Sequence, residues 1–330
     1  MLQNFYIYQM QWFGLITAML ATVSWALCTF PFTTAGRAMS VPTMNLLRLV
    51  AGAALVLVFT LVFEWSNFRT IFSESYTDAW LWLGFSGIMA LCIGDFLSYR
   101  MFTILGPRYG AVFATFAPAS ALLFGWIILD ETINAVGIVG IIITVGGVLG
   151  MSFSRRERSS IPNHGHGTVT RGMLYGGIGA LCNGIGTVCS KQGFNLQQQN
   201  GHPLQPLTGT FVRIVVAAII VTAVLFLTGK LRKQSRNLVA QPVAILRIAM
   251  LAILLGPLLA VSFSMMAIQK INVAVAQTIF ALVPVIALLV AHFFYKEKIT
   301  RHAIAGMMLA IFGITILIWR IDITRLFTGT

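Results

Sequence analysis

Ten apolar runs, each about 20 residues long and parted by polar breaks, decide what this chain can fold into. A helix rising 1.5 Å per residue needs about that length to cross a bilayer's hydrocarbon of roughly 30 Å. The runs fall near residues 13–32, 45–63, 79–101, 109–129 and 134–153, then near 172–190, 208–228, 247–268, 272–295 and 302–320. They are too long and too evenly apolar for the alternating strands of an outer-membrane barrel, so helices are forced. With 58% of residues hydrophobic and 9% charged, no soluble core could bury this surface. The fold class is an all-α integral membrane protein of about ten transmembrane helices. The first run is longer than a signal h-region and has no Lys or Arg before it, so it reads as a retained helix.

One break differs from the others. SRRERSSIPNHGHGTVTR, residues 154–171, combines charge, Ser, Gly and Pro without apolar periodicity and reads as a linker between halves at 13–153 and 172–320. The halves echo each other. At one constant offset, Ser98 falls on Ser264, Pro118 on Pro284, Glu131 on Glu297, Gly140 on Gly306 and Gly147 on Gly313; Arg48 meets Arg213 after one residue of slack. A copy with five crossings ends on the opposite side of the membrane, so its tandem copy inserts upside down. The result is two inverted five-helix repeats, a plan common among secondary transporters.

The net charge of +13 would suggest nucleic acid in a soluble protein. Here the Lys and Arg sit mainly in breaks between spans, where topology and anionic headgroups explain them, so no nucleic-acid partner is expected. All but six of the 22 fall on the linker side, which predicts a cytoplasmic linker and external termini in a cytoplasmic (inner) membrane. Cys28, Cys92, Cys182 and Cys189 lie inside spans without CxxC spacing and read as packing residues. His164 and His166 in the linker make a weak metal site, and the Gly-rich sixth span carries no GxGxxG after a strand. No cofactor or metal is expected.

The pattern GDFLSYR, a Pro-containing fourth span closed by Asp130-Glu131, then Gly140 and the Gly146-Gly147 pair, resembles the EamA-like repeat of the drug/metabolite transporter superfamily. Its second copy is echoed by Pro284, Glu297, Gly306 and Gly313. The resemblance covers about residues 13–320 and implies ten helices in two inverted halves around a central polar cavity, moving small metabolites or toxic compounds, many by export. It also implies cytoplasmic termini, against the charge bias.

Asp95 is the only acid well inside a predicted span. A carboxylate at such depth costs at least ~2.5 kcal/mol, so it must face protein or water. It is either a proton- or cation-binding group, or a structural residue that pairs with Arg48 or Arg100 or makes a helix-packing hydrogen bond. Ser98 and Tyr99, three and four residues on, lie near the same helix face, where they can touch substrate or satisfy Asp95. Arg48 and Arg213, near the starts of the second and seventh spans, are expected to snorkel to headgroups; holding a substrate carboxylate is the alternative. Lys191 matches a position that the resemblance makes basic or polar, and is either a cavity charge or an interfacial anchor. Trp25, Asn183, Gln277 and Thr278 belong to spans that the resemblance places around the cavity. Pro118 and Pro284 remove a backbone hydrogen bond in mid-span and are kinks or hinges. Glu131 and Glu297 sit at helix junctions, with Thr132 and Thr300 as capping candidates, and read as structural.

The leading function is a secondary transporter, an exporter of a small metabolite or toxic compound by alternating access, with Asp95 as candidate proton-coupling group. A lipid or lipid-carrier flippase of the same fold is the alternative. An integral-membrane enzyme is disfavoured by the lack of DDxxD, HExxH or a Ser/His/Asp arrangement. The expected partners are a small-molecule substrate and membrane lipid, with the protein a monomer or homodimer.

Overall fold

The computed structural model describes residues 2–105, 113, 115–152, 169–295 and 300–328. The 154–171 linker, with His164 and His166, lies outside these residues except at its last positions, and Glu297 lies outside them altogether. Among the described residues, eight helices have the length and hydropathy to cross a membrane: Gln9–Ala38, Val41–Phe63, Glu74–Met101, Thr170–Gln199, Pro206–Leu227, Val243–Ile268, Val273–Val290 and Arg301–Ile318. Two shorter apolar helices, Phe116–Leu129 and Ala135–Met151, stand fourth and fifth in the order and complete the ten. Several helices outrun their apolar stretch. The first extends over Leu2–Ala38 and the sixth runs to Gln199, because a helix need not stop where its residues cease to be apolar.

The inversion is visible where the fifth and tenth spans cross. A Cβ added to Gly140 would lie 2.9 Å from Gly313 O, and one on Gly147 would lie 2.7 Å from Gly306 O. Rising numbers on one helix meet falling numbers on the other, so the two are antiparallel. Because Gly306 and Gly313 are the repeat images of Gly140 and Gly147, the two contacts exchange under the repeat, as a pseudo-two-fold axis across the helices requires. Only residues without side chains allow this approach, in which dispersion and close backbone contact supply the association that lipid-facing apolar surface cannot.

Both copies also carry the same irregularities. A π-helical segment interrupts the third span at Ile88–Gly94 and the eighth at Leu254–Ala260, the second 166 positions after the first. Widened turns of this kind occur where a helix must admit something into its ladder. The fourth span begins after a turn at Thr115, and the ninth breaks at Ala281 and Leu282, again 166 positions later. Pro118 and Pro284 lie just after these turns, in the first turn of the helices beyond them. Pro284 cannot donate to Phe280 O and its ring clashes with that carbonyl, so the ninth span stops being α-helical before it. Leu282 N instead bonds Ile279 O at 3.0 Å and Val285 N bonds Leu282 O at 2.9 Å.

Helix starts are capped in equivalent ways. Thr300 Oγ1 accepts from Ala303 N at 3.3 Å, and its repeat image Asn134 accepts from Gly137 N at 3.0 Å through Oδ1. Thr132 is not the cap that the sequence suggested; it stands two residues too early. Glu64 is a capping residue that sequence reasoning missed. Buried at the end of the second span, it accepts from Leu207 N, Thr208 N and Thr208 Oγ1 at 3.0, 2.7 and 2.8 Å, closing the N-terminus of the seventh span. Glu64→Ala is expected to cost ~1–2 kcal/mol, read as a lower Tm of the purified protein.

Candidate functional site

Arg48 and Arg213 do not snorkel. They are 8% and 4% exposed, and each stands seven residues into its helix, about two turns from the end, on a side that faces other helices. A guanidinium placed there cannot reach headgroups without dragging the helix, and it turns inward to protein acceptors.

Around Arg48 those acceptors reach both terminal nitrogens, while Nε has no partner among the described residues. Nη1 lies 2.7 Å from Asp95 Oδ2, and Nη2 donates to Asn45 Oδ1 at 3.1 Å and to Leu91 O at 3.3 Å. The third span's π-helical turn supplies this carbonyl and delivers Asp95 at its end, where Asp95 N reaches back to Ala90 O. Tyr99 completes the cluster: its ring centre is 5.6 Å from the guanidinium carbon and stacks on Phe32 at 5.0 Å. Arg100, the other partner considered for Asp95, is exposed and lies over the Phe96 ring. Ser98 donates to Gly94 O at 2.8 Å, one turn back in its own span.

A second ion pair, largely shielded from solvent, joins the two repeats. Lys191, near the end of the sixth span, pairs with Glu131 from the loop after the fourth, and its Nζ also donates to Ile271 O at 2.7 Å. The other oxygen of Glu131 accepts from Val273 N at 2.8 Å. Glu131 thus caps the ninth span rather than the helix next to it in sequence, and its carboxylate meets the positive end of the helix dipole. Lys191 is an internal charge, not an interfacial anchor.

Hydroxyls and amides make further links among the first, sixth and ninth spans. Gln277 Nε2 donates to Thr187 Oγ1 at 2.6 Å, tying the ninth span to the sixth. Thr22 Oγ1 donates at 3.3 Å to Ile279 O, beside the ninth span's break, and Trp25 meets Phe280 edge-on at 5.0 Å. Thr278 and Asn183 bond carbonyls one turn back, at Ala274 and Gly179. The structure therefore joins Asp95 and Tyr99 through Arg48, and places Trp25, Gln277 and Thr278 together at the ninth span's break. Ser98, Asn183 and Thr278 each donate to a carbonyl of their own helix.

The sequence model of the EamA-like transporter family matches residues 12–153 and 170–319, one match for each repeat. The chain belongs to the EamA-like transporter family. Among relatives, the uncharacterized transporter YoaV of Bacillus subtilis (strain 168) is 26% identical over 148 residues, 44% of this chain and 49% of YoaV, so the match spans about half the relative's length. A protein of known crystal structure shares the fold, with a TM-score of 0.65 at 15% identity over 94% of this chain and 96% of its own. Family and relative alike point to a membrane transporter. In this EamA-like protein the two arginines that the sequence assigned to the membrane surface are interior charges. Their helices start at Val41 and Pro206, before the apolar runs begin, which puts both arginines deeper than the runs alone suggest.

Proposed function

We propose that this protein is a secondary transporter that exports a small polar metabolite or toxic compound across the cytoplasmic membrane by alternating access. One observation carries the reading: π-helical segments recur at matching positions in both inverted copies, a turn precedes each of the two prolines, and largely buried charged and polar side chains lie close to them. Broken helices and paired intramembrane charges cost stability that a passive bundle has no use for, and inverted copies give two equivalent halves to rock about one site. Asp95 is the coupling carboxylate in this reading. Its bond to Arg48 must open before it can take up a proton, so coupling would run through exchange of Asp95 between Arg48 and the proton. A small-molecule substrate and surrounding lipid are the partners of this reading, with the protein a monomer or homodimer.

The test is counterflow in proteoliposomes, loaded with amino acids, organic acids, nucleobases, sugars and amphipathic cations in turn, with and without a pH gradient. Saturable accumulation of one class, steepened by the gradient, is expected. Movement of a fluorescent lipid in place of every soluble compound would replace the reading with a flippase.

A further inference from the structure

The two repeats surround their equivalent arginines differently. Arg48 bonds Asn45, Asp95 and Leu91 O and lies against Tyr99. In the second copy Asn45 is matched by Thr210, Asp95 by Val261 and Tyr99 by Met265. Thr210 spends its hydroxyl on Pro206 O at 2.8 Å, and Val261 offers nothing to a cation. The hydrogen bond that Arg213 makes is from Nη1 to Met265 Sδ at 3.2 Å, a weak acceptor; its Nε, like that of Arg48, has no partner among the described residues, so the difference between the two lies in the carboxylate.

Among the described residues no carboxylate forms an ion pair with Arg213, although the side chain is 4% exposed and an arginine does not shed its proton. The acid whose field reaches it is Asp95, already bonded to Arg48. The cluster of Arg48, Asp95 and Arg213 therefore carries one surplus positive charge inside the bundle. Its position is fixed from behind, because Gly87 of the third span leaves space that even a Cβ would fill, 2.2 Å from Arg213 O. Next to Val261 in sequence, the buried hydroxyl of Ser262 likewise has no partner among the described residues.

We propose that the anion absent opposite Arg213 is supplied by the substrate: Arg213 docks the carboxylate of a monoanionic or zwitterionic solute in the place that Asp95 fills in the other repeat. The proposal rests on the transporter reading and names the substrate class for it. A planar guanidinium matches a carboxylate bidentately, and one surplus charge matches a monoanion. The seat is closed in this conformation. The π-helical segment Leu254–Ala260, ending one residue before Val261, is the element whose straightening or widening would open it.

The experiment is thermal unfolding of the full-length purified protein with carboxylates of increasing size, from formate to benzoate and the aromatic amino acids, each against its amide. The carboxylate member of at least one pair should raise Tm while its amide does not. Arg213→Gln should weaken that binding at least tenfold. Val261→Asp should build the missing internal carboxylate, giving a protein at least as stable as the wild type that no longer responds to the carboxylate. No carboxylate-specific shift in any pair, or one that survives Arg213→Gln, overturns the proposal. If Val261→Asp does not fold, Arg213→Gln decides alone, with Arg213→Lys expected to retain part of the response. Counterflow keeps the two readings apart: transport of a neutral or cationic solute unaffected by Arg213→Gln removes the carboxylate seat and keeps the transporter. Carboxylate binding without movement of any solute does the reverse.

Discussion

Asp95→Asn should lower the stability of the purified protein by ~3–5 kcal/mol and abolish transport. The substitution leaves Arg48 buried with its charge and removes the carboxylate 2.7 Å away, which costs more than the pair's net contribution because a desolvated guanidinium is stranded. Asn45 Oδ1, Leu91 O and the Tyr99 ring remain to Arg48, so folding is weakened rather than prevented. The double variant Asp95→Asn with Arg48→Gln removes both charges and should regain most of the stability. Transport should stay lost if the pair works in coupling, which separates a working pair from a structural one. The measurements are Tm in detergent and pH-gradient-driven uptake in vesicles. Gradient dependence unchanged in a well-folded Asp95→Asn protein would eliminate the coupling role.

Gly147→Leu should prevent the two halves from assembling. A Cβ alone at Gly147 would sit 2.4 Å from Ala310 N and 2.7 Å from Gly306 O, backbone atoms that cannot swing aside as side chains do. Overpacking ordinarily costs ~1–3 kcal/mol where neighbours can adjust. With backbone on both sides of the crossing, the full cost or more is expected, seen as loss of monodisperse protein on purification. Gly313→Leu, its repeat image, should behave alike, since a Cβ there meets Thr144 N at 2.4 Å. Gly146, one residue earlier and exposed, has nothing within 4 Å of its Cβ position, so Gly146→Leu should change Tm little. Equal damage at Gly146 and Gly147 would mean that the crossing is not what these glycines serve.

The candidate site was legible in parts. Asp95 stands out in sequence because an acid among apolar residues has few explanations, and pairing with Arg48 was one of the alternatives left open. Lys191 was recognisable as a charge near a span's end, but its partner Glu131 was not, because the pair closes across 60 residues and between repeats. Glu131 caps a helix 142 residues away, whereas sequence reasoning reaches first for the helix next door. Arg48 and Arg213 were misplaced at the surface because snorkelling is the common solution for an arginine near a span's start, and only the packing of neighbouring helices shows that the route outward is closed.

Counting and spacing, which need nothing but the sequence, determined the helices, the membrane and the inversion. Runs of bilayer length fix the first two, five runs per copy fix the third, and the glycines at matching positions mark where the copies meet. Tertiary structure alone decided which face of each helix looks inward. In a soluble protein the polar face points to water and betrays the core, but lipid and bundle interior are both apolar, so a membrane helix carries no such mark. The inward face appears only once helices are packed, and with it the difference between Arg48, which has a carboxylate built in beside it, and Arg213, which has none among the described residues.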